Sequence, residues 1–215
     1  MAPDKIDLDF LKKFQKLVLG YLDRKRFIIY VGGGKIARLY QNALIEFGAS
    51  SKERDWAGIN ISRINAEVVK TLFKETSCPD VVTNPLKKLS SKNDIIIGAG
   101  WKPGRSTDYV AVLSAKKSGA KTIINLTNID YVCDRDPNKF SDAKPLKEIM
   151  WKDFRKTVGS KWLPGLSSPF DPIASQIAEK LSLKVIIING KKLERLNDFL
   201  NNKPFIGTVI YPVKQ

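Results

Sequence analysis

Phe27-Ile28-Ile29-Tyr30-Val31-Gly32-Gly33-Gly34-Lys35-Ile36-Ala37-Arg38 is the stretch on which the fold turns. Its apolar opening has no polar interruption, which is how strands buried on both faces of a parallel sheet read. Three glycines end the run, and a helical pattern over Gly34–Phe47 begins at once. Strand, glycine turn and helix in that order make a unit of an α/β sheet.

Working outward, the same scheme recurs. Upstream, apolar residues at Phe10, Leu11, Phe14, Leu17, Val18 and Tyr21 mark one face of a helix from Asp9 to Leu22, with Asp7 or Asp9 as N-cap. Downstream, a helical pattern spans Trp56–Phe73. Ile95-Ile96-Ile97 reads as a strand leading into glycines, and Ser106–Ser118 as a helix. Thr122 to Leu126 reads as another strand, followed by a polar loop through Asp142. A short helix is expected near Trp151–Thr157. Asp171-Pro172 opens a helix to Leu181, with a capping carboxylate and proline at the first helical position. Val185–Ile188 is a strand, Leu193–Leu200 a helix and Thr208–Tyr211 a final strand. These elements predict an α/β protein, a three-layer α/β/α sandwich on a mainly parallel sheet. With no linker or repeat in view, residues 1–215 are expected to form a single domain.

Histidine is absent. That removes the commonest general base, every Ser/His or Cys/His pair and most transition-metal sites. Catalysis would run on carboxylates, lysines, arginines, backbone amides and a hard cation, an inventory that suits phosphoryl transfer. A formal charge of +15 indicates anionic company. The lysines are spread over the chain, without a block of five or a basic stripe with interleaved aromatics, so the charge supports phosphate affinity without choosing between nucleotide and nucleic acid. Cys78 and Cys133 sit in no redox or metal spacing. No apolar run approaches the roughly 20 residues of a membrane span. The N-terminus reads as no targeting segment, so a cytoplasmic location is expected.

In open parallel sheets ligands gather at the carboxyl ends of the strands, where the unusual loops of this sequence fall. Gly32-Gly33-Gly34, with Arg38 one turn into the next helix, reads as an anion cradle or as a tight turn that needs glycine only for its backbone angles. Gly98 to Asp108 offers Trp101, Lys102, Pro103, Gly104, Arg105, Ser106, Thr107 and Asp108. These combine cations, hydroxyls and a stacking ring; the plainer reading has Ser106 or Thr107 as an N-cap. Thr127-Asn128-Ile129-Asp130 and Asp134-Arg135-Asp136-Pro137 fit a ribose, a base edge or a magnesium-bound phosphate, or ordinary turns.

Taken in order, the strand before GGGKIAR, the PGRSTD loop, TNIDYVCDRDP and the closing IGTVIYP resemble the amino-acid-kinase superfamily, specifically its uridylate kinases of the archaeal-like branch. The resemblance covers about Phe27 to Pro212 and implies an eight-stranded central sheet and the reaction of ATP with UMP, with magnesium. It assigns Gly33, Asp55 and Trp101 to Thr107 to UMP, with Asp55 on the ribose. It assigns Gly34, Arg38, Thr127, Asn128, Cys133 and Asp136 to ATP. Asp108 matches the carboxylate that organises the catalytic lysines. Relatives are commonly hexamers, so a homo-oligomer is expected. They also open with a strand carrying a lysine and a Gly-Gly-Ser loop; Met1-Ala2-Pro3 stands where that loop would end, so such a strand is expected ahead of residue 1. Tyr131-Val132-Cys133 departs from the usual pattern on the adenine side. Leu163 stands near the place of a second lysine, with Lys161 close by. A catalytically silent nucleotide or oxyanion binder on the same scaffold is the alternative reading, and a basic nucleic-acid binder a more distant one.

Overall fold

The computed structural model describes residues 6–87, 89, 92–137, 139–161 and 168–212. The segment expected to hold a second lysine, Trp162 to Gly165, lies outside them. The chain divides into two compact units, one ending at Lys117 and the other beginning at Ser118.

In the first unit, α1 (Leu8–Leu19) starts at Asp7, whose carboxylate accepts the Phe10 amide at 2.9 Å. Then follow β1 (Phe27–Tyr30), α2 (Gly34–Glu46), α3 (Ser51–Leu72), β2 (Ile95–Gly98) and α4 (Thr107–Ser118). β1 and β2 pair in parallel from Phe27↔Ile95 to Tyr30↔Gly98, so both following loops leave from the same end. β2 is buried throughout, and its other side bridges to Ser77 and Val82. β1, expected to be buried on both faces, is only half-buried, because among the described residues its sheet gives it a strand on one side alone. The core joins Leu11 and Val18 of α1, Ala66 and Val69 of α3, Phe73, and Ile95 and Ile97 of β2. α3 begins five residues ahead of Trp56 because Ser50 and Glu53 form a capping box that satisfies the first free amides.

The second unit carries β3 (Thr122–Thr127), β4 (Val132–Cys133), β5 (Pro145–Leu146), β6 (Glu148–Met150), α5 (Trp151–Val158), α6 (Pro172–Lys180), β7 (Lys184–Asn189), α7 (Leu193–Leu200) and β8 (Thr208–Tyr211). The sheet order is β3-β7-β8-β6, parallel except where β7 meets β8. Its core holds the fully buried Trp151, Phe154 and Phe170, and the Trp151 indole N–H donates to the Leu183 carbonyl at 2.7 Å. The polar stretch expected as plain loop contains β4, which pairs antiparallel with β5. Among the described residues the sheets have two and four strands, with β4–β5 apart, rather than one sheet of eight.

Candidate functional site

β1 delivers Gly32-Gly33-Gly34 to the start of α2, with Gly33 as N-cap. Two of these glycines are demanded by structure. A Cβ on Gly33 would stand 2.4 Å from the Ala37 methyl and 3.1 Å from the Gly58 carbonyl, and Gly34 has φ +64°. Both glycines are thus required by the turn itself, as the tight-turn reading had it. Inside α3, the buried Asn65 carboxamide donates to the carbonyls of Gly32 at 3.0 Å and Gly33 at 3.3 Å. Arg38 stands exposed on α2.

The loop after β2 is fastened to the same helix. The buried Ser62 hydroxyl accepts the Gly100 amide at 2.9 Å. Arg63 donates to the carbonyls of Gly100 at 3.4 Å and Trp101 at 3.1 Å, with its guanidinium 5.8 Å from the Trp56 ring centre. The Asp55 carboxylate, buried on the first turns of α3, accepts the Gly104 amide at 2.7 Å. Burial raises the Asp55 pKa, against the opposing pull of that Gly104 N–H and of Arg54. Asp55, Ser62 and Asn65 share the inward stripe of α3 with Ile59, Ala66 and Val69.

Within the loop, the Lys102 ammonium lies 4.1 Å from the Trp101 ring centre and covers a stacking face. Arg105 folds back: it donates to the Gly104 carbonyl at 2.7 Å and lies 4.7 Å from the Tyr109 ring centre. Its Nε is buried and has no hydrogen-bond partner among the described residues. The Ser106 hydroxyl accepts the Tyr109 amide at 3.1 Å, so Ser106 caps α4, as its plainer reading had it. Thr107 opens α4 against Gly32, where a Cβ would lie 3.4 Å from its hydroxyl, and Asp108 sits in the first turn. Gly33, Asp55, the Trp101–Thr107 loop and Asp108 are thus gathered at one end of the first unit.

The other expected set divides: Gly34 and Arg38 belong to the first unit, Thr127, Asn128, Cys133 and Asp136 to the second. Thr127 ends β3 and its hydroxyl pairs with the Asn128 side chain at 3.3 Å. Asp130 then anchors this loop. It accepts from the Arg195 guanidinium at 2.7 and 3.2 Å and from the Asn189 amide at 2.7 Å, with Lys192 at 3.9 Å. Led by the Arg195 contact, these donors lower the Asp130 pKa to about 2. Cys133 pairs with Pro145 in the β4–β5 ladder. The Asp136 carbonyl accepts the amides of Lys139 and Phe140, a turn. Among the described residues no three His, Cys, Asp or Glu side chains gather as a metal site.

Sequence reading missed Ser62, Arg63 and Asn65. For Ser62 and Asn65 the signal was available as polar residues on the inward stripe of an otherwise apolar helix face; Arg63, half-buried beside that stripe, gave none.

Parallel strands ending in glycine loops, one opening into a helix N-terminus, define an open-sheet α/β protein. The chain belongs to the Amino acid kinase family, whose sequence model matches residues 8–189. It is 34% identical to a uridylate kinase of Pyrococcus abyssi, over 99% of this chain and 95% of that protein. It is also 34% identical to a uridylate kinase of Thermoplasma volcanium, over 98% and 92%. The crystal structure of uridylate kinase from Archaeoglobus fulgidus superposes with a TM-score of 0.80 at 26% identity, covering 97% of this chain and 94% of that one. A UMP kinase structure from Bacillus anthracis, at 18% identity and a TM-score of 0.76, shares the fold. The α/β class and the family expected from the sequence both hold.

Proposed function

We propose that the chain is a UMP kinase that transfers the γ-phosphate of ATP to UMP, giving ADP and UDP. The observation that carries this reading is the pair of glycine loops fastened to one face of α3, in a chain similar along nearly its whole length to uridylate kinases. On this reading Gly33, Asp55 and Trp101 to Thr107 hold UMP. Gly34, Arg38, Thr127, Asn128, Cys133 and Asp136 hold ATP. Asp108 organises the charged groups at the point of transfer. An oxygen of the UMP phosphate attacks the γ-phosphorus as the bond to the ADP oxygen breaks, and the chain contributes alignment and charge neutralisation. Magnesium, when bound, neutralises charge on the triphosphate.

The family match, residues 8–189, runs across the boundary between the two compact units, which supports reading residues 1–215 as one functional domain. Exposed Leu39, Tyr40 and Phe47 at α2 and Ile64 on α3 support a homo-oligomer, a hexamer on the family resemblance. Light scattering on the purified protein measures that state. No helix among the described residues is long and apolar enough to cross a membrane, and the location proposed is the cytoplasm. The deciding experiment is a coupled ADP-release assay with UMP, CMP, AMP and GMP. UMP should give the highest kcat/KM. Equal or purine-favoured rates defeat the assignment, and saturable UMP binding without turnover favours the silent binder.

A further inference from the structure

We infer that Arg63 and Asn65 are positioning residues of the phosphate-acceptor site: each draws two consecutive carbonyls of a glycine loop onto α3, and so turns the following amides outward to an anion. The inference rests on the UMP-kinase reading for the identity of that anion.

In a planar trans peptide the C=O of one residue and the N–H of the next point in opposite directions. Asn65 holds the Gly32 and Gly33 carbonyls, so the amides of Gly33 and Gly34 face away from α3. Arg63 holds the Gly100 and Trp101 carbonyls, which turns the amides of Trp101 and Lys102 the same way from the helix. None of these four amides donates a hydrogen bond within the chain among the described residues. Successive outward N–H groups after a strand are what a phosphate group binds. β1 and β2 are adjacent and parallel, so the two loops present these amides at the same end of the unit.

The residue types fit the task. Asn65 is 7% exposed, and a carboxamide inside a core must spend its two N–H donors, which two neighbouring carbonyls accomplish. Arg63 offers a planar fork whose Nε and Nη2 reach consecutive carbonyls, while its face lies over Trp56. A lysine has no such fork. Arg63 therefore acts through the backbone, distinct from a cation that touches the substrate phosphate.

The test uses the full chain with three variants, Arg63→Met, Arg63→Lys and Asn65→Ala. Hydrogen exchange on the free protein reads the loops directly, because the Gly100 and Gly104 amides are held by Ser62 and Asp55 and should be protected. Arg63→Met should speed their exchange roughly tenfold and Arg63→Lys by less, while the α4 amides stay as in the parent. Steady-state kinetics should show KM for UMP raised roughly tenfold in Arg63→Met, with KM for ATP within about twofold of the parent; Asn65→Ala, which also releases the Gly34 amide assigned to ATP, should raise both. Exchange in the loop that is unchanged in Arg63→Met overturns the inference, whatever the protein phosphorylates. So does an equal rise in both KM values in Arg63→Met. Loop exchange that responds while the parent turns over no UMP leaves the clamp standing and defeats the function assigned above.

Discussion

Around α3, two glycine loops are held by hydrogen bonds from helix side chains to backbone; in the second unit the loop after β3 is held by a carboxylate on a guanidinium. Asn65, Ser62 and Asp55 are buried and reach only backbone atoms, with Arg63 the single cation of the set. Asp130 instead sits at the meeting point of Arg195, Asn189 and Lys192, with its own side chain 45% exposed. The first arrangement fixes peptide orientation and works only where glycine lets the backbone come close. The second fixes loop position through charge and tolerates side chains. One loop pair is built to present amides; the other is built to stay in place.

The largest expected effect breaks the second arrangement. Asp130→Ala leaves the Arg195 guanidinium, 7% exposed, without its counter-charge, and should cost about 3 kcal/mol in urea denaturation. Arg195→Met leaves only a half-exposed carboxylate that water can reach, and should cost about 1 kcal/mol. Equal losses would mean that the pair is not anchored from the buried side, and the contrast with α3 would lose its basis.

Next comes a test of the cations assigned to nucleotide. Arg105→Ala should weaken UMP in calorimetric titration by roughly 10- to 100-fold, the range of about 1.5–3 kcal/mol for a charge-assisted contact. Arg105 lies folded on Gly104 and Tyr109, so its unpaired Nε must find its partner after a rearrangement of the loop. Parent-like binding would show that Arg105 only closes the loop. Gly104→Ala sharpens the comparison at smaller magnitude. Gly104 has φ +77° with open space beyond, so the loss is pure backbone strain, about 1–2 kcal/mol by thermal denaturation. A loss near zero would show that the loop relaxes at Gly104.

The order of strands and helices was legible because apolar runs and glycine turns are local signals, as at Phe27–Gly34 and Ile95–Gly98. Local signals also failed. The start of α3 was placed at Trp56, its first large apolar residue, although Ser50 and Glu53 carry the capping box. β6 has three residues and a single buried one, Ile149, too little for a period of two to register. The loops that matter were found by composition, yet what holds them was not. Asp130 and Arg195 are 65 residues apart and Arg63 lies 38 from Trp101, separations at which only tertiary structure supplies the partner. Ser106 shows the converse: a hydroxyl in a loop of interest is spent as a helix cap.

The smallest effect is also the sharpest contrast, since the two anchoring carboxylates are shifted in opposite directions. Arg195, then Asn189, lower the folded pKa of Asp130 to about 2, below the unfolded value. As pH falls, the unfolded chain takes up that proton first, so the stabilisation present above roughly pH 4 is lost as pH drops through about 2. Burial raises the folded pKa of Asp55, so there the folded chain takes up its proton first. Acidification from neutral through that raised pKa therefore relieves a burial cost and adds stability relative to the unfolded chain. Urea denaturation in steps from pH 6 to pH 3 on the parent, Asp130→Asn and Asp55→Asn should show this. Asp130→Asn should flatten the acid loss of stability, while Asp55→Asn, which keeps an oxygen for the Gly104 amide, should steepen it. Both changes are modest, because Asp130 is half-exposed and Asp55 keeps its amide donor. Changes of the same sign in both variants would show that charge anchors the loops of α3 as well, and the two regions would then differ only in sequence.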